Sequence, residues 1–271
     1  MIVTRFAPSP TGHLHLGHAS SAVRAHDFAR DHGGCFLLRI EDIDVGRCRE
    51  AFVESIIEDL RWLGLDWDGT EVRQSERLDL YAAALETLRG MGLVYPCFCT
   101  RKDIAASVSA PHGPEGPVYP GTCRTRDQSH RLATEPHCWR IDMGKAVALA
   151  GPLTWQDERA GTVVADPLSH GDVVLARKDA PFAYHLAVVV DDAAQGVTDI
   201  VRGEDLFAAT HVHRLLQALL GLPVPRYHHH PLLAGPDGKR LAKRDGAASL
   251  RQMRADGADP QALLAALRAS A

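Results

Sequence analysis

"RFAPSPTGHLHLGH" (residues 5–18) is the stretch on which the fold turns. It stands between an apolar, β-branched run, "IVTRFA" (2–7), and a segment with helical spacing that begins at Leu16. A loop that leaves a buried parallel strand and enters a helix puts backbone N–H groups and the positive dipole end at the carboxyl edge of a sheet. Phosphate binds at such edges. Pro8 and Pro10 fix φ, and Gly12 is expected to take a conformation that other residues resist, so the loop should be pre-shaped for a ligand. His15 and His18, three apart at the helix start, fall on one side of the first turn, where ring N–H groups can donate to anionic oxygens. Neither the Gly-rich dinucleotide fingerprint nor a Walker loop is present.

Downstream, 16–31 reads as a helix stopped by Gly33 and Gly34, and "CFLLRIED" (35–42) as a second strand. "REAFVESIIEDLRWLG" (49–64) reads as a helix with Phe52, Ile56, Leu60 and Leu63 on one face, and 78–89 as another that ends at Gly90. This alternation predicts an α/β fold, a Rossmann-like parallel sheet with crossover helices. From 95 to about 181 the chain is rich in Pro, Gly and polar residues, with short strand-like pieces "CWRID" (138–142) and "GDVVLAR" (171–177); it reads as an inserted module. "AYHLAVVVDD" (183–192) and "VTDIVRGEDL" (197–206) restore buried-strand character. "THVHRLLQALLG" (210–221) is an amphipathic helix with Val212, Leu215, Leu216 and Leu219 aligned. "YHHHP" (227–231) has no acid beside it in sequence and reads as a strand rather than a metal site. Two short helices follow, the second opening at Asp259–Pro260. The expected divisions are 1–94 and 182–246 as the two halves of one domain, 95–181 as the insertion, and 247–271 as a short helical tail.

At 45% hydrophobic and 24% charged residues, disordered and collagen-like classes are excluded. No apolar run reaches membrane-spanning length and the N-terminus lacks the pattern of a secretory signal, so no membrane association and a cytoplasmic protein are expected. A net charge of −4 gives no general pull toward nucleic acid, although a basic patch would suffice. Six cysteines are too few and too irregular for a disulfide framework. Cys97, Cys99 and Cys123 group with Tyr119, and three thiolates with a phenolate could complete a tetrahedral zinc site; His112 is an alternative fourth ligand. On spacing alone, buried free cysteines remain the competing reading. Cys35, Cys48 and Cys138 read as core or surface thiols.

The 5–18 stretch resembles the PSPTG-x-L-H-x-G-H segment of class I glutamyl-tRNA synthetases, with His15-Leu16-Gly17-His18 at their HIGH motif. Such a loop needs a second phosphate clamp, and "GPDGKRLAKRDG" (235–246) supplies four basic residues in the six from Lys239 to Arg244. Similar synthetases carry K-M-S-K-S or K-L-S-K-R there. Aligned so, Lys243 is the second motif lysine, Arg240 stands where the first usually is, and Ala242 replaces the serine. The resemblance implies that His15, His18, Lys243 and Arg240 are catalytic, and that His15, Gly17, His18 and Lys243 hold ATP, with Mg²⁺ accompanying it. It implies a glutamate site of Arg5, Ala7, Ser9, Glu41, Tyr184 and Arg202, the arginines suited to carboxylates and Glu41 to the ammonium. Plainer roles compete: Glu41 could cap the next helix, Arg202 could pair with Glu204 or Asp205, and Tyr184 could be core. The implied chemistry is in-line attack of a carboxylate on the α-phosphate of ATP, carried by positioning and charge neutralisation.

The C-x-C…Y-x-x-x-C arrangement resembles the glutamyl-queuosine branch of this family, which implies one structural Zn²⁺ on Cys97, Cys99, Tyr119 and Cys123. The resemblance runs to about 247, and what remains is too short for a helical anticodon-binding domain. The short branch so implied activates L-glutamate with ATP and attaches it to the queuosine base at the wobble position of tRNA(Asp); a monomer is expected. The competing readings are a truncated synthetase charging a tRNA 3′ end, a non-catalytic RNA-binding adaptor, and another HIGH-bearing nucleotidyltransferase.

Overall fold

Strand β1 (Val3–Phe6) leads through the opening loop into helix α1 (Leu16–Asp31) in a computed structural model describing residues 1–100, 103–104, 112–113, 116–233 and 248–269. α1 buries Ala19, Ala22, Ala25 and Ala29, small residues that let it close on the sheet, and Gly33 at φ 59° ends it. Then come β2 (Cys35–Ile40), α2 (Glu50–Trp62), β3 (Val72–Arg73) and α3 (Leu78–Gly90). β1, β2 and β3 pair in parallel, with Arg5 opposite Leu37 and Arg39 opposite Val72. α3 ends at Gly90 as expected, and the left-handed turn that follows it falls at Gly92, φ 70°.

The next stretch holds β4 (Val94–Cys97), β5 (His112–Gly113), β6 (Gly116–Pro117), β7 (Cys138–Ile141), α4 (Met143–Ala150), β8 (Thr154–Asp157), β9 (Gly161–Val164) and β10 (Val174–Ala176). β4, β7 and β10 form an antiparallel sheet in which Cys97 faces Cys138. The chain continues through α5 (Tyr184–Ala194), β11 (Asp199–Gly203), α6 (Ala209–Leu220), β12 (Arg226–His230), α7 (Leu250–Ala255) and α8 (Pro260–Ala269).

One element departs from the sequence reading. Residues 183–192 do not make a strand; Tyr184–Ala194 is a helix. Leu186, Ala187, Val188, Val189, Asp191 and Asp192 are all buried, so the segment is enclosed on several faces and shows no one-sided stripe. An apolar run of that kind has no period to distinguish helix from strand, and its β-branched valines favour the wrong answer. Packing against α3 and α6 decides it.

β11 and β12 are parallel, β8 joins β12 in parallel through Tyr227 opposite Asp157, and β9 closes the edge antiparallel to β8. β11 lies beside β1, where the Thr198 N–H donates to the Val3 carbonyl at 3.0 Å and the Val3 N–H to Thr198 Oγ1 at 2.9 Å. Two sheets, β3-β2-β1 and β11-β12-β8-β9, therefore meet edge to edge, and the winding reverses at the β1–β11 seam, the place where open α/β sheets bind ligands. Hairpin β8–β9 comes from within the stretch read as an insertion, yet it extends this sheet.

Candidate active site

A cleft of about 450 Å³ opens at the carboxyl ends of β1 and β11. Arg5, Glu41, Tyr184 and Arg202 line it, as do His15 and His18. Ala7 and Ser9 on the loop and Gly17 in the first turn of α1 line it too, so all nine of these sequence-derived positions converge on one space.

The two histidines are locked by the helix start they share. His15 is the N-cap of α1; its Nδ1 accepts from the Gly17 N–H at 3.1 Å, while His18 Nδ1 accepts from the His15 N–H at 3.3 Å. A ring that accepts at Nδ1 carries its proton on Nε2, so both imidazoles keep an Nε2–H donor. The rings stack with centroids 3.8 Å apart. Gly17 makes this possible: a Cβ there would stand 3.0 Å from His15 Cε1 and 3.2 Å from Nδ1, displacing the ring from its cap. Gly12 is not among the glycines at positive φ, so the conformational freedom expected of it is not used. The third histidine of the loop is an anchor. His13 Nδ1 hydrogen-bonds with Ser55 Oγ at 2.9 Å, and its ring packs edge-on against Phe52.

Arg5 and Glu41, two of the residues expected to hold glutamate, sit in a buried charge lattice. Arg5 Nε donates to Asp192 Oδ1 at 3.0 Å, and Arg39 Nη1 donates to the same oxygen at 2.8 Å. Arg39 also reaches Glu41 Oε1 at 3.3 Å and Gln195 Oε1 at 2.9 Å. Beside it, Asp191 accepts from Gln74, Arg77 and Tyr81 at 2.7–2.8 Å. Burial would raise the Asp192 carboxyl, but Arg5 and Arg39 outweigh it and hold the group below its usual range. At Glu41 burial wins over the same two arginines and the carboxyl is raised. Glu41 caps no helix: the N-cap of α2 is Arg49, without a side-chain cap bond. Burial pushes Tyr184 up to about 12, so its hydroxyl stays protonated.

Among the described residues, Arg202 does not take Glu204 or Asp205 as its partner. Its Nε donates to His229 Nε2 at 3.1 Å, its Nη2 to Thr210 Oγ1 at 2.6 Å and the Leu206 carbonyl at 3.1 Å, and its Nη1 to the Tyr184 hydroxyl at 3.4 Å. The histidine run is a strand, as expected, but it is not remote from acids: His228 meets Glu158 at 2.8 Å and Asp199 at 2.9 Å, and His229 meets Asp157 at 2.7 Å. Sequence reading missed Arg39, Asp191, Asp192, Asp157 and His229. A buried-type arginine and two adjacent aspartates inside apolar runs were the available signals.

Arg240 and Lys243 lie outside the described residues. The chain on either side of them returns to the cleft: Leu233 lines it, the Leu250 N–H donates to the Leu14 carbonyl at 2.9 Å, and Ser249 forms a β-bridge with His15.

Away from the cleft, the thiols of Cys97, Cys99 and Cys123 lie within 4.8 Å of one another, close enough to share a metal ion. The Tyr119 hydroxyl oxygen stands 3.3 Å from Cys97 Sγ and 3.4 Å from Cys99 Sγ, and it accepts from the Cys123 N–H at 2.9 Å. A hydrogen bond from the Cys138 thiol, opposed by burial, helps draw Cys97 down to about 4. The side chain of His112 is outside the described residues. No helix among the described residues is long and apolar enough to cross a membrane.

A family model described as tRNA synthetases class I (E and Q), catalytic domain, matches residues 1–270. A Rhodobacter capsulatus protein named glutamyl-Q tRNA(Asp) synthetase is 52% identical over 272 residues, covering 96% of this chain and 97% of that protein. A glutamate–tRNA ligase of Oleidesulfovibrio alaskensis is 42% identical over 269 residues, which are 97% of this chain and 55% of that one. The crystal structure of a glutamate tRNA ligase from Elizabethkingia meningosepticum, in complex with its amino acid, matches with a TM-score of 0.82 at 27% identity over 98% of this chain; the chain spans 60% of that structure's length. The HIGH-type turn, the cleft at the seam of the sheet and the match over nearly every residue agree: the chain belongs to the class I tRNA synthetase family of the E and Q catalytic domain.

Proposed function

We propose that this chain is a ligase that activates L-glutamate with ATP as glutamyl-adenylate and transfers the glutamyl group to the queuosine base at the wobble position of tRNA(Asp), acting in the cytoplasm as a monomer. The cleft carries the first half of this reading. Two arginines suited to carboxylates, one carboxylate suited to an ammonium, and two Nε2–H donors on a helix N-terminus meet in a space of about 450 Å³. Arg5 and Arg202 receive the carboxylates of glutamate, and Glu41 receives its α-ammonium. Ala7, Ser9 and Tyr184 form the walls. His15, Gly17 and His18 face the ATP phosphates, and Mg²⁺ accompanies the nucleotide.

A substrate carboxylate oxygen attacks the α-phosphorus, the bond to the bridging oxygen breaks, and pyrophosphate leaves. Lys243, with Arg240, neutralises charge on that leaving group. The choice of acceptor leans on the 52% identity to the protein named glutamyl-Q tRNA(Asp) synthetase. Radiolabelled glutamate is expected to enter tRNA(Asp) that carries queuosine and not tRNA(Asp) that lacks it. Equal labelling of the two would overturn the acceptor; absence of glutamate-dependent ATP–pyrophosphate exchange would overturn the activation step.

Cys97, Cys99, Tyr119 and Cys123 are proposed to hold one structural zinc ion. Sulfurs about 2.3 Å from a tetrahedral zinc stand roughly 3.8 Å apart, and the 3.5 Å between Cys99 and Cys123 suits that arrangement. Four protein ligands leave no open position, so the metal would brace the fold rather than act on substrate. Metal analysis is expected to find about one zinc per chain. Cys123→Ser should lose it and melt at a lower temperature; a variant with full zinc content and unchanged melting would remove Cys123 from the ligand set.

A further inference from the structure

We propose that Asp157 and His229 act as a positioning relay for Arg202, fixing which edge of its guanidinium meets the substrate; the inference rests on the glutamate-activating reading above. Arg202 is buried at the carboxyl end of β11. Four of its five N–H groups have partners in the protein: Nε–H meets His229 Nε2, the Nη2 pair meets Thr210 Oγ1 and the Leu206 carbonyl, and one Nη1–H reaches the Tyr184 hydroxyl at 3.4 Å. Nη1 is left on the Tyr184 side, where the cleft lies. The His229 contact, together with the two at Nη2, therefore sets the rotation of the planar group. A bidentate contact with a carboxylate depends on that rotation.

An imidazole nitrogen that accepts from an arginine N–H must present a lone pair, so His229 is neutral with its proton on Nδ1. That proton goes to Asp157 Oδ2 at 2.7 Å. Asp157 thereby selects the tautomer, and its own freedom is small. Its Oδ1 accepts from the backbone N–H groups of Arg159 at 3.0 Å and Ala160 at 2.9 Å, which close the β8–β9 turn, and its Oδ2 also accepts from the His229 N–H at 3.3 Å. Burial and the facing guanidinium push His229 down to about 4, consistent with the neutral ring. Neither Asp157 nor His229 lines the cleft, so a change at either reaches substrate through Arg202.

The isosteric Asp157→Asn change discriminates between this role and packing. Asparagine has one carbonyl oxygen; if it serves the two turn N–H groups, its amide N–H faces His229 Nδ1. The ring must then accept at Nδ1 and carry its proton on Nε2, against Arg202 Nε–H. In glutamate-dependent ATP–pyrophosphate exchange, Asp157→Asn and His229→Leu are expected to raise KM for glutamate about 10- to 100-fold, as for losing one charge-assisted hydrogen bond. KM for ATP should stay within about twofold, since a remote phosphate site keeps its contacts. His229→Gln, whose amide oxygen can still accept from Nε–H, should recover most of the loss. Nitrogen-15 NMR of the ligand-free protein should show the Nδ1–H tautomer at His229, and the other tautomer in Asp157→Asn. Equal losses in His229→Leu and His229→Gln, a parallel rise of both KM values, or an Nε2–H tautomer in the wild-type protein would each overturn the relay. A wild-type protein with the Nδ1–H tautomer but no glutamate-dependent exchange would instead sink the activation reading and leave the relay as a hydrogen-bonded fact.

Discussion

Arg39→Met is expected to destabilise the fold by about 3–5 kcal/mol at neutral pH, the usual cost of removing one partner from a buried ion pair. Denaturant titration should show it as a lower midpoint with little change in slope. Arg39 has no exposed surface, and its Nη1 and Nη2 tie Asp192, Gln195 and Glu41 together, with Asp191 at 3.8 Å from Nε. Methionine of similar length would leave Asp191 and Asp192, both buried, to share Arg5 and Arg77. The pH dependence follows from Asp192. Its folded-state pKa lies below the ordinary 3.8, so its contribution is present above that value and is lost as pH falls through the folded pKa. The variant has less of that contribution to lose, so its deficit against wild type should narrow on acidification. A difference below about 1 kcal/mol at pH 7 would mean that the lattice is not held by this guanidinium.

Lys243→Ala should lower the rate of adenylate formation by about 100- to 1,000-fold, the range for deleting one preorganised charge-stabilising group. Glutamate binding should stay within about twofold, because the lysine is assigned to the leaving pyrophosphate and touches no part of the amino acid in that assignment. The chain enters and leaves the 234–247 segment beside the cleft, at Leu233 and at Ser249 on His15. That flank geometry, with the likeness to K-M-S-K-S, supports the role. Burst measurements of pyrophosphate release, alongside calorimetric titration with glutamate, separate the two effects. Unchanged release in the variant would remove Lys243 from catalysis.

What could be read in advance was local. The loop from Arg5 to His18, the stop at Gly33 and the stripe of Val212, Leu215, Leu216 and Leu219 are each encoded within a few residues of one another. Short-range caps and periodicity therefore reveal them. The residues that support the cleft are of another kind. Arg39 meets Asp192 across 153 positions and Asp157 meets His229 across 72. No periodicity marks such pairs, and only the closed sheet brings them together. α5 was opaque for a related reason: a segment buried on several faces has no polar side to reveal its period. Gly12 shows the opposite error: a left-handed turn is expected of it, and its φ is not positive.

Hairpin β8–β9 also bears on how far this protein can be dismantled. Excising 95–181 as if it were an appendage would take Trp155 out of its contacts with Tyr227 and Phe207, and would strip β12 of its outer neighbour. A bare edge of that sort invites intermolecular pairing. Any minimised version has to graft 154–164 back onto the nucleotide-side scaffold, which makes the middle of the gene a piece of architecture and not a detachable accessory.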